Sequence, residues 1–393
     1  LAVPLFRSFR KIPWRVGLGT LLLGAVVLWS IAIATPPTRS HDAYWNLSFG
    51  KIAGIYGENP YRTPPAILTD DPWTEPIQGF KDLTFTHGPL WAVLMAGIAV
   101  LSGGSLLVAL AFSKLVMLAA LLAGGWFLWR TFNAHGIPRE ERIARMAIVA
   151  WSPFLLQVAL VDTHNDVLMS LGILASYYFV LRGRYSASVL ALVGVGFVKY
   201  VSFLLVPIPL LLMVRSSPST GRAIRIVAIV SAISLLFGVA LYLPFGMPWE
   251  NMGGLARQVF TTVSFRYATV TSFISAALVG PYGVWYFGST LALAVLTWHL
   301  FRARILRAYV APILTLLATG TLWLQSWYLL WALPLLAITL SPLLVAVYLT
   351  LGFLVPEGVP TLSASTLGLV FLGAYAVVQK GFLVPRNARR LQK

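Results

Sequence analysis

The densest polar segment of the chain is Asp162-Thr163-His164-Asn165-Asp166, set between the apolar runs Trp151 to Leu160 and Val167 to Val180. Two carboxylates, an imidazole and an amide in such surroundings are costly to bury, and ionisable groups at that depth are functional candidates. Asp162 and Asp166 are four apart and can share one helical face, or Asp166 can simply open a helix as a capping residue. A second acid, Asp42, follows His41 just beyond the first apolar run and precedes Tyr44 and Trp45. There it can accept a proton from a hydroxyl, or cap the amphipathic stretch that reaches Tyr56. Lys199 ends the apolar run Ala187 to Val198, and Lys114 lies about ten residues inside another. A buried ammonium needs an anion, either a carboxylate such as Asp162 or Asp166 or the phosphate of a ligand. Two further segments complete the candidates: Thr86-His87-Gly88-Pro89-Leu90-Trp91, and Gln325 to Trp331 with Trp327 and Tyr328. Interfacial Trp and Tyr are also common as belt residues.

The elements that position these residues follow from composition. Of the 393 residues 58% are hydrophobic and 10% charged, and the mean hydropathy is +0.81, whereas a soluble domain is roughly 25% charged. Runs such as Val16 to Thr35 and Ser105 to Trp129 have the roughly 20 residues that cross a bilayer as helix. The formal charge of +17 sits in short loops between such runs, where Lys and Arg mark the cytoplasmic face, so no nucleic-acid surface is expected. There is no cysteine, hence no disulfide framework and no thiolate ligand or nucleophile. The sequence patterns of dinucleotide sites, P-loops, HExxH zinc sites and GxSxG nucleophiles are missing, as are internal repeats.

Loop charges then set the threading. Arg7, Arg10, Lys11 and Arg15 place the N-terminus inside, and the apolar stretch after them reads as a signal anchor, being long for a cleaved signal core. Spans are expected over 16–35, 105–129, 146–160, 166–181, 186–198, 201–214, 223–245, 283–301, 308–323, 327–340, 342–356 and 363–380. Residues 89–101 are read as a surface or re-entrant helix, and Arg130, Arg139, Arg142 and Arg145 as a basic inner loop. The expected fold is therefore all-α: one polytopic transmembrane domain over 1–393, with about twelve spans and both termini cytoplasmic. Its long first extracytoplasmic loop, 36–104, bears the interfacial helices, and a second spans 246–282. On this threading 21 of the 29 Lys and Arg lie inside and ten of the 12 acids outside, Glu140 and Glu141 being the exceptions. Several spans are short, so their outward turns belong in a protein-lined cavity, because lipid cannot satisfy exposed backbone.

With these motifs in order and on one side, the chain resembles the GT-C superfamily of membrane glycosyltransferases. Asp42 is similar to the acid of that superfamily's first loop. His87-Gly88-Pro89-Leu90 is similar to its His/Lys-Pro-Pro-Leu element, with Gly88 replacing the first Pro. Gly194 to Lys199 resembles its Gly-rich helix ending in Lys. His164-Asn165-Asp166 and the Trp-Tyr-x-x-Trp-x-x-Pro run from Trp327 to Pro334 look most like glycosyltransferase family 87 and related polyprenyl-phosphate-mannose mannosyltransferases. The resemblance implies a prokaryotic cell-membrane enzyme of the cell envelope, its site extracytoplasmic. A polyprenyl-phosphate sugar, a hexose such as mannose, would be the donor, and a lipid, glycan or protein would be the acceptor. Asp42 would be the base of a single inverting displacement, and Lys199, with Lys114 or Arg266, would neutralise the departing phosphate. Asp162, His164 and Asp166 would orient hydroxyls, with His41, His87, Asn165, Trp327 and Tyr328 lining the site. No metal is required by this scheme, although Asp42 with Asp162 or Asp166 offers oxygen ligands for Mg or Mn. The rival readings are a lipid or solute transporter and a non-catalytic membrane subunit of the same fold. Carboxylates are nearly absent from the inner loops, which disfavours a transport path open to both sides.

Overall fold

The computed structural model describes residues 8, 11–77, 79–246, 270–280, 283–320, 324–340 and 342–354. Among these residues the regular structure is helical throughout. The helices are α1 (Trp14–Ala34), α2 (Asp42–Gly54), α3 (Pro89–Leu101), α4 (Leu106–Ala134), α5 (Arg139–Ala150), α6 (Pro153–Leu156), α7 (Asp166–Leu181), α8 (Tyr185–Gly196), α9 (Pro207–Ser216) and α10 (Thr220–Tyr242). They continue as α11 (Val270–Val279), α12 (Val284–Phe301), α13 (Ile305–Thr319), α14 (Leu333–Thr339) and α15 (Pro342–Leu354). A π-helical stretch, Gln157–Val161, follows α6, and 3-10 turns cover Tyr200–Leu205 and Ser326–Trp331.

Among the described residues four helices, at Trp14–Ala34, Leu106–Ala134, Thr220–Phe245 and Val284–Phe301, are long and apolar enough to cross a membrane, and the bent pair Arg139–Ala150 with Pro153–Val161 raises this to five. The chain is an integral membrane protein. The other apolar helices have 10–17 residues and are cut by turns that the protein itself encloses. Asp162 to Asp166, Gln325 and Ser326 are all buried. The expected span at 363–380 lies outside the described residues, as does most of 246–282.

One expectation changes. Arg139, Arg142 and Arg145 are not loop residues: helix α5 starts at Arg139, with Glu140 and Glu141 in its first turn, where carboxylates are favoured by the helix dipole. Arg145 is buried and is gripped by Glu141 at 2.8 Å. It also donates to the carbonyls of Ala337 at 2.7 Å and Leu340 at 2.8 Å, closing the end of α14. A charge that reads from sequence as a topology marker therefore also fastens two helices.

The long loop is a packed layer. Its helices α2 and α3 lie against each other, with Phe49, Trp73, Phe85 and Trp91 buried, and each buried Phe contributes about 1.5–3 kcal/mol. Trp91 donates to Asn46 at 2.8 Å. Lys51 meets Asp71 at 2.6 Å, and Tyr56 donates to the same carboxylate oxygen at 3.2 Å. Burial pushes the Asp71 carboxyl up, but the bonds from Lys51, the Trp73 N–H and Tyr56 outweigh it and hold the group below its ordinary range. Thus the loop has fixed geometry, and α2 can present Asp42 at a defined place.

Candidate active site

The turn that carries His164 is shaped by its backbone. In the π-helical stretch the Asp162 N–H bonds back to Gln157 O at 2.8 Å, and the His164 N–H bonds to Val158 O at 3.0 Å. Between them Thr163 adopts a left-handed φ of 51°, which is strained for a β-branched residue. The helix is thereby interrupted, so Asp162 and Asp166 do not share a helical face as their spacing suggests. Asp162 turns back toward the chain after α1, accepting from the backbone N–H groups of Thr38 at 3.0 Å and Arg39 at 3.3 Å, and from Gln157 at 2.9 Å. Its carboxylate ties the start of the long loop to this turn.

Past the strained residue the same turn faces a different group. His164 Nδ1 stands 3.4 Å from Asp42 Oδ2, the imidazole 3% and the Asp42 side chain 41% exposed. Asp42 occupies the first turn of α2 and its backbone N–H donates to Ser40 at 3.2 Å. The cap position itself belongs to His41, which makes no side-chain cap bond. The His164 ring stacks on Trp327 with centroids 4.2 Å apart and planes at 24°.

Asp166, at the start of α7, is paired on one oxygen. Its Oδ1 receives Lys199 Nζ at 2.6 Å and also the Trp331 indole N–H. The Lys199 ammonium, 13% exposed, lies over the rings of Tyr328 at 4.7 Å and Trp331 at 5.2 Å, a cation–π arrangement that compensates for lost water. Among the described residues, four of the buried atoms without a hydrogen-bond partner lie here: His41 Nδ1, His164 Nε2, Asn165 Nδ2 and Asp166 Oδ2. Buried polar atoms are nearly always paired, so their concentration in this one neighbourhood marks a place prepared for a polar ligand.

His87 joins the site because the loop end docks onto α8. The Gly88 N–H donates to Val198 O at 3.0 Å and the Leu90 N–H to Phe197 O at 2.9 Å. A Cβ at Gly88 would stand 2.1 Å from Phe197 O, so no larger residue fits, and proline could not supply the N–H. The departure of Gly88 from the family's proline thus has a local cause. Tyr61 and Tyr200 both donate to His87 O, at 3.0 and 3.4 Å. Burial, then Lys199 and His164 against the opposing Asp166 carboxylate, pushes the half-buried His87 imidazole down to about 3. It is a neutral group at physiological pH.

The structure brings together Asp42, His164, Asp166, Lys199, Trp327 and Tyr328, with His41, His87 and Asn165 beside them. It does not bring in Lys114, whose ammonium donates to the carbonyls of Ala32, Ile33 at 2.9 Å and Thr35. These close the C-terminus of α1, where a cation suits the helix dipole. Arg266 lies outside the described residues. Among the described residues no three of His, Asp and Glu converge as a metal-binding group, and both oxygens of Asp162 and one of Asp166 are engaged by protein N–H groups. Gln157 is not singled out from sequence, and Trp331 is named there only as the end of a candidate segment and within the Trp-Tyr-x-x-Trp-x-x-Pro run, without a place in the site. Trp331 had a signal, since it follows Tyr328 by three residues and so falls on the same side of a 3-10 turn.

Residues 8–215, more than half of the chain, match the family described as alpha-(1->6)-mannopyranosyltransferase, N-terminal domain. A Mycolicibacterium smegmatis protein named "Probable alpha-(1->6)-mannopyranosyltransferase" is 30% identical over 168 residues, 40% of this chain and 28% of the relative. The alpha-(1->6)-mannopyranosyltransferase of Mycobacterium tuberculosis is 27% identical over 160 residues, 40% of this chain and 26% of the relative. The matched stretch thus spans between a quarter and a third of either relative. No solved structure matches the chain. The matched region holds Asp42, His87, the 162–166 turn and Lys199, and it agrees with the glycosyltransferase resemblance that those motifs carry. The chain belongs to the alpha-(1->6)-mannopyranosyltransferase family, to whose N-terminal domain its residues 8–215 correspond.

Proposed function

We propose that this protein transfers a mannosyl group from a polyprenyl-phosphate donor to a sugar hydroxyl at the extracytoplasmic membrane surface, with Asp42 as the base. The observation that carries this reading is the meeting of the half-exposed Asp42 carboxylate with the buried His164 turn, 3.4 Å apart, beside atoms that lack partners. Asp42 takes the proton of the acceptor hydroxyl, the freed oxygen bonds to C1 of the donor sugar, and the C1–O bond to phosphate breaks. Polyprenyl phosphate departs with the electron pair. The names of the relatives specify an α-(1->6) linkage; a single inverting displacement forms an α bond only from a donor whose sugar is β-linked to phosphate.

The remaining groups have matching tasks. Lys199 has three N–H donors, one of them on Asp166, and the others meet the phosphate as charge develops on the leaving oxygen. Asn165 Nδ2 and Asp166 Oδ2, unpaired and buried, hold sugar hydroxyls as donor and acceptor respectively. Neutral His87 closes the site without adding charge. The scheme requires no metal; among the described residues, Asp42 and the unpaired oxygen of Asp166 are the carboxylate oxygens of the site left to meet Mg or Mn.

The test is direct. Purified protein in liposomes is given labelled polyprenyl-phosphate mannose and a membrane extract as the source of acceptor, and label is followed into product. Transfer by the wild type, with an α-(1->6) bond in the product, is the expected result. Absence of transfer from every polyprenyl-phosphate sugar tried contradicts the reading.

A further inference from the structure

Asp42 is the most exposed of the site's acids, and nothing in its own helix fixes its carboxylate; among the described residues the charged or polar side chain that stands against it is His164. Three contacts fix His164 in turn. Its backbone N–H is bonded into the π-helical stretch at Val158, the preceding Thr163 is in the left-handed region, and its ring lies flat against Trp327. An irregular, strained backbone of this kind marks functional sites when an identified side chain is aimed by it.

The ring's surroundings select its tautomer. Were the proton on Nε2, that nitrogen would be a buried donor without an acceptor, and the lone pair of Nδ1 would face the Asp42 carboxylate. With the proton on Nδ1 the ring donates toward Asp42 and leaves only an acceptor unpaired, the less costly arrangement. At 3.4 Å the contact is longer than a formed hydrogen bond, and catalytic hydrogen bonds are often long before substrate binds and tighten in the reactive complex. It is Nδ1, and not Nε2, that stands 3.4 Å from the Asp42 carboxylate.

Resting on the reading of Asp42 as base, we infer that His164 is its positioning residue, donating from Nδ1 to Asp42 Oδ2 so that Oδ1 is left, oriented, for the acceptor proton. Trp327 acts one step further back, holding the imidazole plane. Among the described residues the titratable groups near Asp42 are His164 and the Tyr328 hydroxyl, with the Lys199–Asp166 pair behind that tyrosine and His41 next to Asp42 in sequence. Among them only the imidazole is near enough, in the described contacts, to donate to the carboxylate.

His164→Phe keeps an aromatic ring on Trp327 but removes the donor. The expected result is a fall in kcat of roughly 10- to 100-fold, the effect of a misplaced reacting group, with KM for donor and acceptor within about threefold of wild type. A carboxylate stripped of a donor ionises less readily, so the acid limb of the kcat/KM profile should also move to higher pH. His164→Asn, whose amide N–H can replace Nδ1–H, should recover most of the rate and return the acid limb toward its wild-type position. A purely structural role for His164 would lower activity without moving that limb. If His164→Phe does not fold, Trp327→Leu, which frees the ring while sparing both Asp42 and His164, is read by the same profile. Wild-type kcat in His164→Phe, or a reduced kcat with an unmoved acid limb, overturns the inference while Asp42→Asn still tests the base. Absence of transfer by the wild-type protein overturns both.

Discussion

Lys199 Nζ lies 2.6 Å from Asp166 Oδ1, joining residues 33 apart in the chain at the meeting point of α7 and α8. The carboxylate is 1% exposed and the ammonium 13%; both charges have left water, and Oδ1 meets the ammonium and the Trp331 N–H while the ammonium also lies over the Tyr328 and Trp331 rings. A pair of this kind tolerates joint replacement far better than the loss of one member.

Lys199→Met should therefore destabilise the protein by about 3–5 kcal/mol, because it strands a buried carboxylate. Adding Asp166→Asn should restore a large part of the loss. Thermal unfolding in detergent of the two single variants and the double variant measures this. Equal destabilisation in the double variant and in Lys199→Met would show that the pair is not the stabilising unit.

Gly88→Ala places a Cβ where Phe197 O stands, 2.1 Å away. Backbone cannot yield as a flexible side chain does, so a loss of about 1–3 kcal/mol is expected from the forced displacement. Gly88→Pro, which also removes the N–H given to Val198, should be worse. Melting temperatures rank the two, and activity should fall with them, since this contact delivers His87 to the site.

Much of this arrangement could be read from residue order. Helices at Pro89–Leu101 and Asp166–Leu181 end where apolar runs meet Pro, Asp or Arg, and such boundaries are local. The gathering of Asp42, His164, Asp166 and Lys199 followed from placing the polar turns at one end of the helices. What stayed hidden depends on contacts between distant segments. Arg145 gave no sign of bonding to Ala337 and Leu340, nor Asp162 of holding Thr38 and Arg39. The spacing of Asp162 and Asp166 suggested a shared face because ideal helix geometry cannot anticipate a π-helical stretch followed by a left-handed threonine. Lys114 has the same composition-level signature as Lys199, and only the end of α1 beside it separates their roles.

Asp162 and Asp42 make opposite demands on an experiment. Asp162→Ala leaves the N–H groups of Thr38, Arg39 and Gln157 without their shared acceptor; because these groups are partly solvent-accessible, the expected loss is about 1–3 kcal/mol in all. Activity and thermal stability should drop together. Full stability in Asp162→Ala would show that the loop is anchored elsewhere.

His87 supplies a pH dependence of known sign. An imidazole held near 3 in the folded protein, against an ordinary value of 6.5, binds a proton more readily when unfolded. Its contribution to stability is therefore complete above about pH 6.5 and is lost as pH falls toward 3. Asp71 acts in the same direction but at lower pH, beneath the carboxylate range. Melting temperature measured from pH 7 down to 4 should fall more steeply for wild type than for His87→Asn. Parallel curves would mean that His87 is protonated without penalty.

The central claim is that Asp42 removes the acceptor proton, and Asp42→Asn tests it with the smallest change of shape. The amide keeps the size of the side chain and its place in the first turn of α2, so the melting temperature should match wild type. Mannosyl transfer from labelled polyprenyl-phosphate mannose should fall by roughly 100- to 10,000-fold, the range of general-base catalysis. Transfer at the wild-type rate by a folded Asp42→Asn protein would contradict the account.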